Sequence, residues 1–108
     1  MNSKKLPPFQ SQVAEFVEKH GLSTDVSTRL LDLLSEVGEL SKELLKGSKY
    51  GKGEFVQTEN WSEELADVFF ALVCLANATN VDMQSGLEMA LNKYVKRLRD
   101  RGNAGSGR

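Results

Sequence analysis

Two stretches, LLSEVGELSKELL at 33–45 and SEELADVFFALVCLA at 62–76, each set two carboxylates three residues apart inside an otherwise apolar run. Glu36 and Glu39 form the first pair, Glu64 and Asp67 the second. Residues at i and i+3 share a helix face, and like charges there repel by about 0.2–0.5 kcal/mol, more when water is withdrawn. An unpaired carboxylate taken out of water costs several kcal/mol or takes up a proton. Basic partners are few on these stretches: Arg29, Lys42 and Lys46 on the first and none between 61 and 79. A divalent cation resolves the conflict. Four hard oxygen donors without thiolate or imidazole beside them suit Mg²⁺, with Mn²⁺ as a substitute. His20, the only histidine, reads as a surface or cap residue, and its isolation argues against a di-iron carboxylate bundle, which uses Glu-x-x-His pairs. Taken singly, either acidic pair reads as a solvated face, and Glu63 and Glu64 as first-turn acids favoured by the helix dipole.

The elements that must carry these acids are helices. Pro7 and Pro8 open a first helix at about 8–20, with Phe9, Val13, Phe16 and Val17 on one face and Gly21 as its stop. Ser23, Thr24 and Asp25 offer caps for a second that runs to Lys46, with Gly47 just past its end. On it, Val26, Leu30, Leu33, Leu34, Val37, Leu40 and Leu44 make one broad apolar stripe expected to face the core. The acids Asp32, Glu36, Glu39 and Glu43 lie beside it, with Glu36 at the border. GSKYGKGEFVQTENW then reads as a long loop. Asn60 and Glu63 resemble a capping box that opens a third helix, about 61–79. From Leu65 to Ala76 every residue of that helix but Asp67 is apolar, so it is expected at the centre of the fold. Asp82 caps a fourth helix that ends near Arg101. No strand-like alternation intervenes. The expectation is a single all-α domain, an antiparallel four-helix bundle-like fold over residues 1–108, ending in a flexible glycine-rich tail at 102–108.

Composition narrows the classes. At 108 residues the chain has little spare core, which points to a homodimer or homotetramer. A net charge of −1 argues for neither nucleic acid nor a membrane surface. The longest apolar run is too short to span a bilayer. A lone cysteine, Cys74, sits in an apolar run and fits a reducing compartment. No secretory signal follows the first lysines, so a cytoplasmic location is expected.

The ExxE at 36–39, in EVGEL, and the ExxD at 64–67, in EELADV, resemble the signature of the MazG-like all-α nucleoside triphosphate pyrophosphohydrolases. RLLDLLSEVGELSKELLKGSKYGK is similar to that family's first motif helix and loop. EELADVFFALVCLANATNVD is similar to its second, and ALNKYVKRLRDRG to its closing basic helix. The resemblance implies Mg²⁺-dependent hydrolysis of a (deoxy)nucleoside triphosphate to the monophosphate and pyrophosphate. It places the metal on Glu36, Glu39, Glu64 and Asp67, with Glu36 or Glu39 as general base. Lys93 and Arg97, four apart on the fourth helix, match basic positions of the family and become phosphate ligands; Asn77 matches a family Asn that bonds sugar or base.

From the residues alone, Lys93 and Arg97 read as surface charges and Asn77 as a helix-end cap. Lys49 in the loop offers a further phosphate contact. Trp61, Tyr50, Phe55, Phe9 and Phe16 offer faces for a base, each with a competing place in the core. Gly38, between the motif acids, reads as a point of tight helix packing. Asp32 and Glu43 read as surface charges. Two other functions stay open. One is a phosphoribosyl-ATP pyrophosphohydrolase on the same fold, although that group often carries a histidine where this chain reads FFALVCL. The other is a non-catalytic helical module that binds a basic partner.

Overall fold

Pro8 stands at the start of the first helix, where its missing N–H costs nothing, and Gly21 leaves that helix with φ +62°. The computed structural model describes residues 5–102. It contains α1 (Pro8–Lys19), α2 (Val26–Gly47), α3 (Trp61–Ala78) and α4 (Met83–Arg101), and no strand among the described residues. The all-α expectation holds. His20 caps α1 and stacks on Phe16 at 4.5 Å. Asp25 caps α2 by accepting from the Thr28 N–H at 2.9 Å. Asn60 makes no side-chain cap bond, because its own backbone is already helical, so the expected capping box does not form.

The main contact is α2 against α3, with α1 laid on the other side of α3. Phe9 meets Phe69 at 5.3 Å and Phe16 meets Phe70 edge-on at 5.9 Å. The residues of α2 that escape full exposure are Arg29, Asp32, Leu33, Glu36, Leu40, Glu43 and Gly47. Their spacing of three and four is the seam of a coiled-coil-like pair, with Arg29, Glu36 and Glu43 at sevens where apolar residues ordinarily sit. The apolar stripe expected to face the core does not do so. Leu33 and Leu40 join the seam, while Val26, Leu30, Leu34, Val37 and Leu44 are exposed, Leu34 by 60%. Gly38 lies on that outer face with nothing near it, so within this chain it marks no helix contact. A total of apolarity along a helix says nothing about which side the neighbour takes. Here the acids go inward with α3 and most of the leucines go out.

The third helix is central in part. Ala71, Val73, Cys74 and Ala76 are buried, but Leu65, Phe69 and Leu72 line an open groove of about 540 Å³. The fourth helix leaves α3 at 102° and packs on no other element to any extent. Its Leu87, Leu91, Val95 and Leu98 stripe is exposed. The radius of gyration, 17.2 Å, accordingly exceeds the roughly 13 Å of a closely packed chain of this length. Gly102, with φ +77°, ends α4 and donates to Leu98 at 3.0 Å. The rest of the expected glycine-rich tail, 103–108, lies outside the described residues.

The loop between α2 and α3 returns along the end of α2. Gly47, expected just past the helix, is its last residue, and Ser48 is the cap. Its value is close approach: the Val56 N–H donates to its carbonyl at 2.9 Å, and an added Cβ would stand 2.5 Å from the Val56 carbonyl oxygen and 2.6 Å from the Phe55 ring. Gly47→Ala is therefore expected to destabilise the fold by about 1–3 kcal/mol, measured by urea denaturation. An unchanged midpoint would show that the loop does not depend on this contact.

Candidate metal centre

The seam puts Glu36 of α2 and Glu64 of α3 opposite one another, and Asp67, one turn along α3, at their edge. One carboxylate oxygen from each of the three lies within 4.8 Å of the others. Glu36 and Glu64 are half-buried and Asp67 is exposed. Octahedral Mg²⁺, with oxygens at 2.0–2.1 Å, needs ligand oxygens roughly 3–4 Å apart, within reach by small side-chain rotations. Glu39, the fourth expected ligand, stands outside this trio. It is 49% exposed and pairs with Lys42 at 3.4 Å.

The electrostatics report an unsatisfied site. Burial, followed by the charges of Asp32, Asp67, Glu64 and Glu39, pushes the Glu36 carboxyl above the ordinary glutamate value of 4.5. Burial, followed by Asp67, Glu39, Glu43 and Glu63, does the same to Glu64. Every charge acting on these two groups is another carboxylate. The nearby lysines are engaged elsewhere, Lys42 with Glu39 and Lys46 with Glu43, both at 3.4 Å. Arg29 occupies the same seam about 10 Å before Glu36 by helix rise, and its Nε and Nη1 are buried without an acceptor. A hard dication fits the donor set: all oxygen, mutually repelling and, among the described residues, uncompensated by a nearby cation.

Other expected site residues fall in different places. Glu43, read from sequence as a surface charge, is 5% exposed and accepts from the Thr58 hydroxyl at 2.5 Å. That bond holds its carboxyl below the ordinary range and ties the returning loop to α2. Asp32, also read as surface, is partly covered and adds its charge to Glu36. Trp61 opens α3 one turn before Glu64 and packs on Phe55 at 4.8 Å. Lys49, in a left-handed turn with φ +53°, lies beyond the end of α2, about 20 Å from Glu36 by helix rise. Asn77 lies about 15 Å along α3 from Asp67. Its amide accepts from Gln10 Nε2 at 2.9 Å and donates to the Gln10 carbonyl at 3.0 Å, so it is not acting as a cap. Lys93 and Arg97 flank the Tyr94 ring on α4, at 5.1 and 5.8 Å. The 102° bend between α3 and α4 sets the direction in which α4 carries them.

Sequence reasoning missed Glu43 and Gln10. The signal for Glu43 was present: Arg29, Glu36 and Glu43 recur at seven, as do Leu33, Leu40 and Gly47. Gln10 left none, since its partners lie 67 to 73 residues away.

Residues 25–102 match the MazG nucleotide pyrophosphohydrolase domain. The Bacillus subtilis (strain 168) protein YpjD, itself uncharacterized, is 29% identical over 106 residues, covering 94% of this chain and 93% of that protein. The crystal structure of a Bacillus-conserved MazG protein, a nucleotide pyrophosphohydrolase, superposes with a TM-score of 0.68 at 27% identity, covering 87% of this chain and 93% of its own. That of YpjD from Bacillus subtilis gives 0.68 at 25% identity, covering 87% and 96%.

The raised carboxyls carry a sign. Glu36 and Glu64 keep protons in the folded chain at a pH where the unfolded chain has lost them. Their contribution to stability is complete below about 4.5 and is lost as pH rises through their raised values. In a metal chelator, Glu36→Gln is expected to melt above the parent chain near neutral pH, with the gap closing toward pH 4.5. Adding Mg²⁺ should raise the melting temperature of the parent and leave the variant little changed. Scanning calorimetry decides, and a parent that melts higher than Glu36→Gln in chelator would contradict the account.

Proposed function

The chain belongs to the MazG nucleotide pyrophosphohydrolase family, and from that premise we propose that it hydrolyses a (deoxy)nucleoside triphosphate to the monophosphate and pyrophosphate at the Glu36–Glu64–Asp67 cluster. The observation that carries this reading is the convergence of those three carboxylates within 4.8 Å in a fold shared with a structure known as a nucleotide pyrophosphohydrolase. Glu36, Glu64 and Asp67 would hold a dication, Mg²⁺ by the donor chemistry, and it would supply charge neutralisation at phosphate oxygens and a more acidic water.

The protein's own groups divide the remaining work. Glu36 and Glu64, fixed in the seam, and Asp67 at its mouth hold the ion in a defined place. Glu39 is the carboxylate left over. Beside the trio yet half exposed, it is placed to orient a water and accept its proton, with Lys42 at 3.4 Å on its other side. Trp61, one turn from Glu64 and braced by Phe55, is the aromatic best placed to stack a base. Lys93 and Arg97 then serve the phosphates from a second copy of the chain. That arrangement fits a homodimer or homotetramer in which the apolar faces of α2, α3 and α4 cover one another. Contiguous apolar surface on this scale ordinarily marks an association face.

Incubation with the common triphosphates and Mg²⁺ is expected to release pyrophosphate and monophosphate. Asp67→Asn and Glu39→Gln should each lower the rate by at least about 100-fold with helix content unchanged. Mixing Asp67→Asn with a Lys93→Ala/Arg97→Ala chain should restore part of the activity, because a hybrid pair contains one intact site. Release of orthophosphate alone, or full activity in Asp67→Asn, would overturn the reading.

A further inference from the structure

The α3–α4 corner is held by one side chain from the far end of the sequence. Gln10 of α1 is fully buried, at 0% exposure. Its Nε2 donates to the Val81 carbonyl at 2.8 Å and to Asn77 Oδ1 at 2.9 Å, and its Oε1 accepts from the Met83 N–H at 2.8 Å. Asn77 returns a bond to the Gln10 backbone carbonyl at 3.0 Å. One amide thus grips the last connecting stretch before α4 and the first residue of α4 itself.

The start of a helix leaves N–H groups without partners. In α4 the first is taken by Gln10 and the next two by Asp82, at 2.9 and 3.1 Å. Asp82 belongs to the corner and travels with it. Gln10 does not: it is anchored in α1, which packs on α3. Among the described residues α4 shares few contacts with any other helix, and its Leu87, Leu91, Val95 and Leu98 are exposed. The direction of a 19-residue helix therefore depends on a short corner that contains Asn80 at φ +58°. A one-degree-of-freedom error at that corner grows along the helix, whose tip lies about 28 Å away.

We propose that Gln10 is a positioning residue that fixes the angle between α3 and α4, and thereby places Lys93, Arg97 and the apolar stripe of α4. The angle stands on the hydrogen bonds alone; only its consequence for turnover rests on the function proposed above. Losing the amide leaves the part-buried Val81 carbonyl and Met83 N–H without their partner beside an apolar side chain, an incentive for the corner to open toward water.

Spin labels at Glu63→Cys on α3 and Lys96→Cys on α4, in chains diluted with unlabelled protein, report the angle as an intrachain distance. Cys74 is buried and stays in place. The parent is expected to give one narrow distance, and Gln10→Met a broadened or displaced one with helix content retained. The Michaelis constant for the triphosphate should rise about tenfold with the saturated rate nearly unchanged, the pattern of lost binding rather than lost chemistry. If Gln10→Met does not fold, Gln10→Glu keeps the acceptor for Met83 while losing donations, and should give an intermediate distribution. A parent-like narrow distance in either folded variant, even with a lowered melting temperature, would overturn the proposal. A parent that turns over no nucleotide would sink the functional reading and leave the distance test intact.

Discussion

Everything in this structure turns on two carboxylates placed where a helix pair normally buries leucines. Glu36 and Glu64 occupy the α2–α3 seam with Asp67 at its mouth; Asp67 raises the cost of charge on both, and Glu64 raises it on Glu36. Withdrawn from water, such a group tolerates ionisation only beside a compensating charge. Among the described residues the cations of α2 do not supply it: its lysines face other acids, and Arg29 lies about 10 Å along the helix. Sequence positions that a packing argument would fill with apolar residues have been given to carboxylates. Two rigid helices rather than a loop set where those carboxylates stand.

That trade explains where the apolar residues went. With acids in the seam, Leu30, Leu34, Val37 and Leu44 turn outward, and α4 adds a second uncovered stripe. The chain finishes only part of its core, through Ala71, Val73, Cys74 and Ala76 against α1 and α2. Small residues at those positions let the helices approach closely, and Gly47 does the same for the loop that Thr58 pins to Glu43. Acidic cluster, loop anchor and helix corner thus each rest on a few polar groups set in a modest apolar frame.

The sequence made the four helices legible nearly to the residue, because Pro8, Asp25, Asp82 and Gly102 act locally. It also made the acids legible, since ExxE and ExxD need only the helical repeat to share a face. What it did not disclose depends on neighbours. The stripe of α2 with the most apolar residues lost the seam to the stripe containing Arg29, Glu36 and Glu43, because the choice between faces is made by α3 and not by α2. Asn77 looked like a cap or a sugar ligand until Gln10, 67 residues away, claimed its amide. Lys93 and Arg97 shared a face as expected, but a 102° corner decides which acids that face can meet.

The central claim is that the Glu36–Glu64–Asp67 cluster is built for a divalent cation, and anomalous diffraction from crystals soaked in Mn²⁺ tests it most directly. One dominant Mn²⁺ peak is expected in contact with oxygens of all three carboxylates, and its loss in Glu64→Gln. A strong peak elsewhere with the cluster left empty, or a peak that survives in Glu64→Gln unaltered, would contradict it.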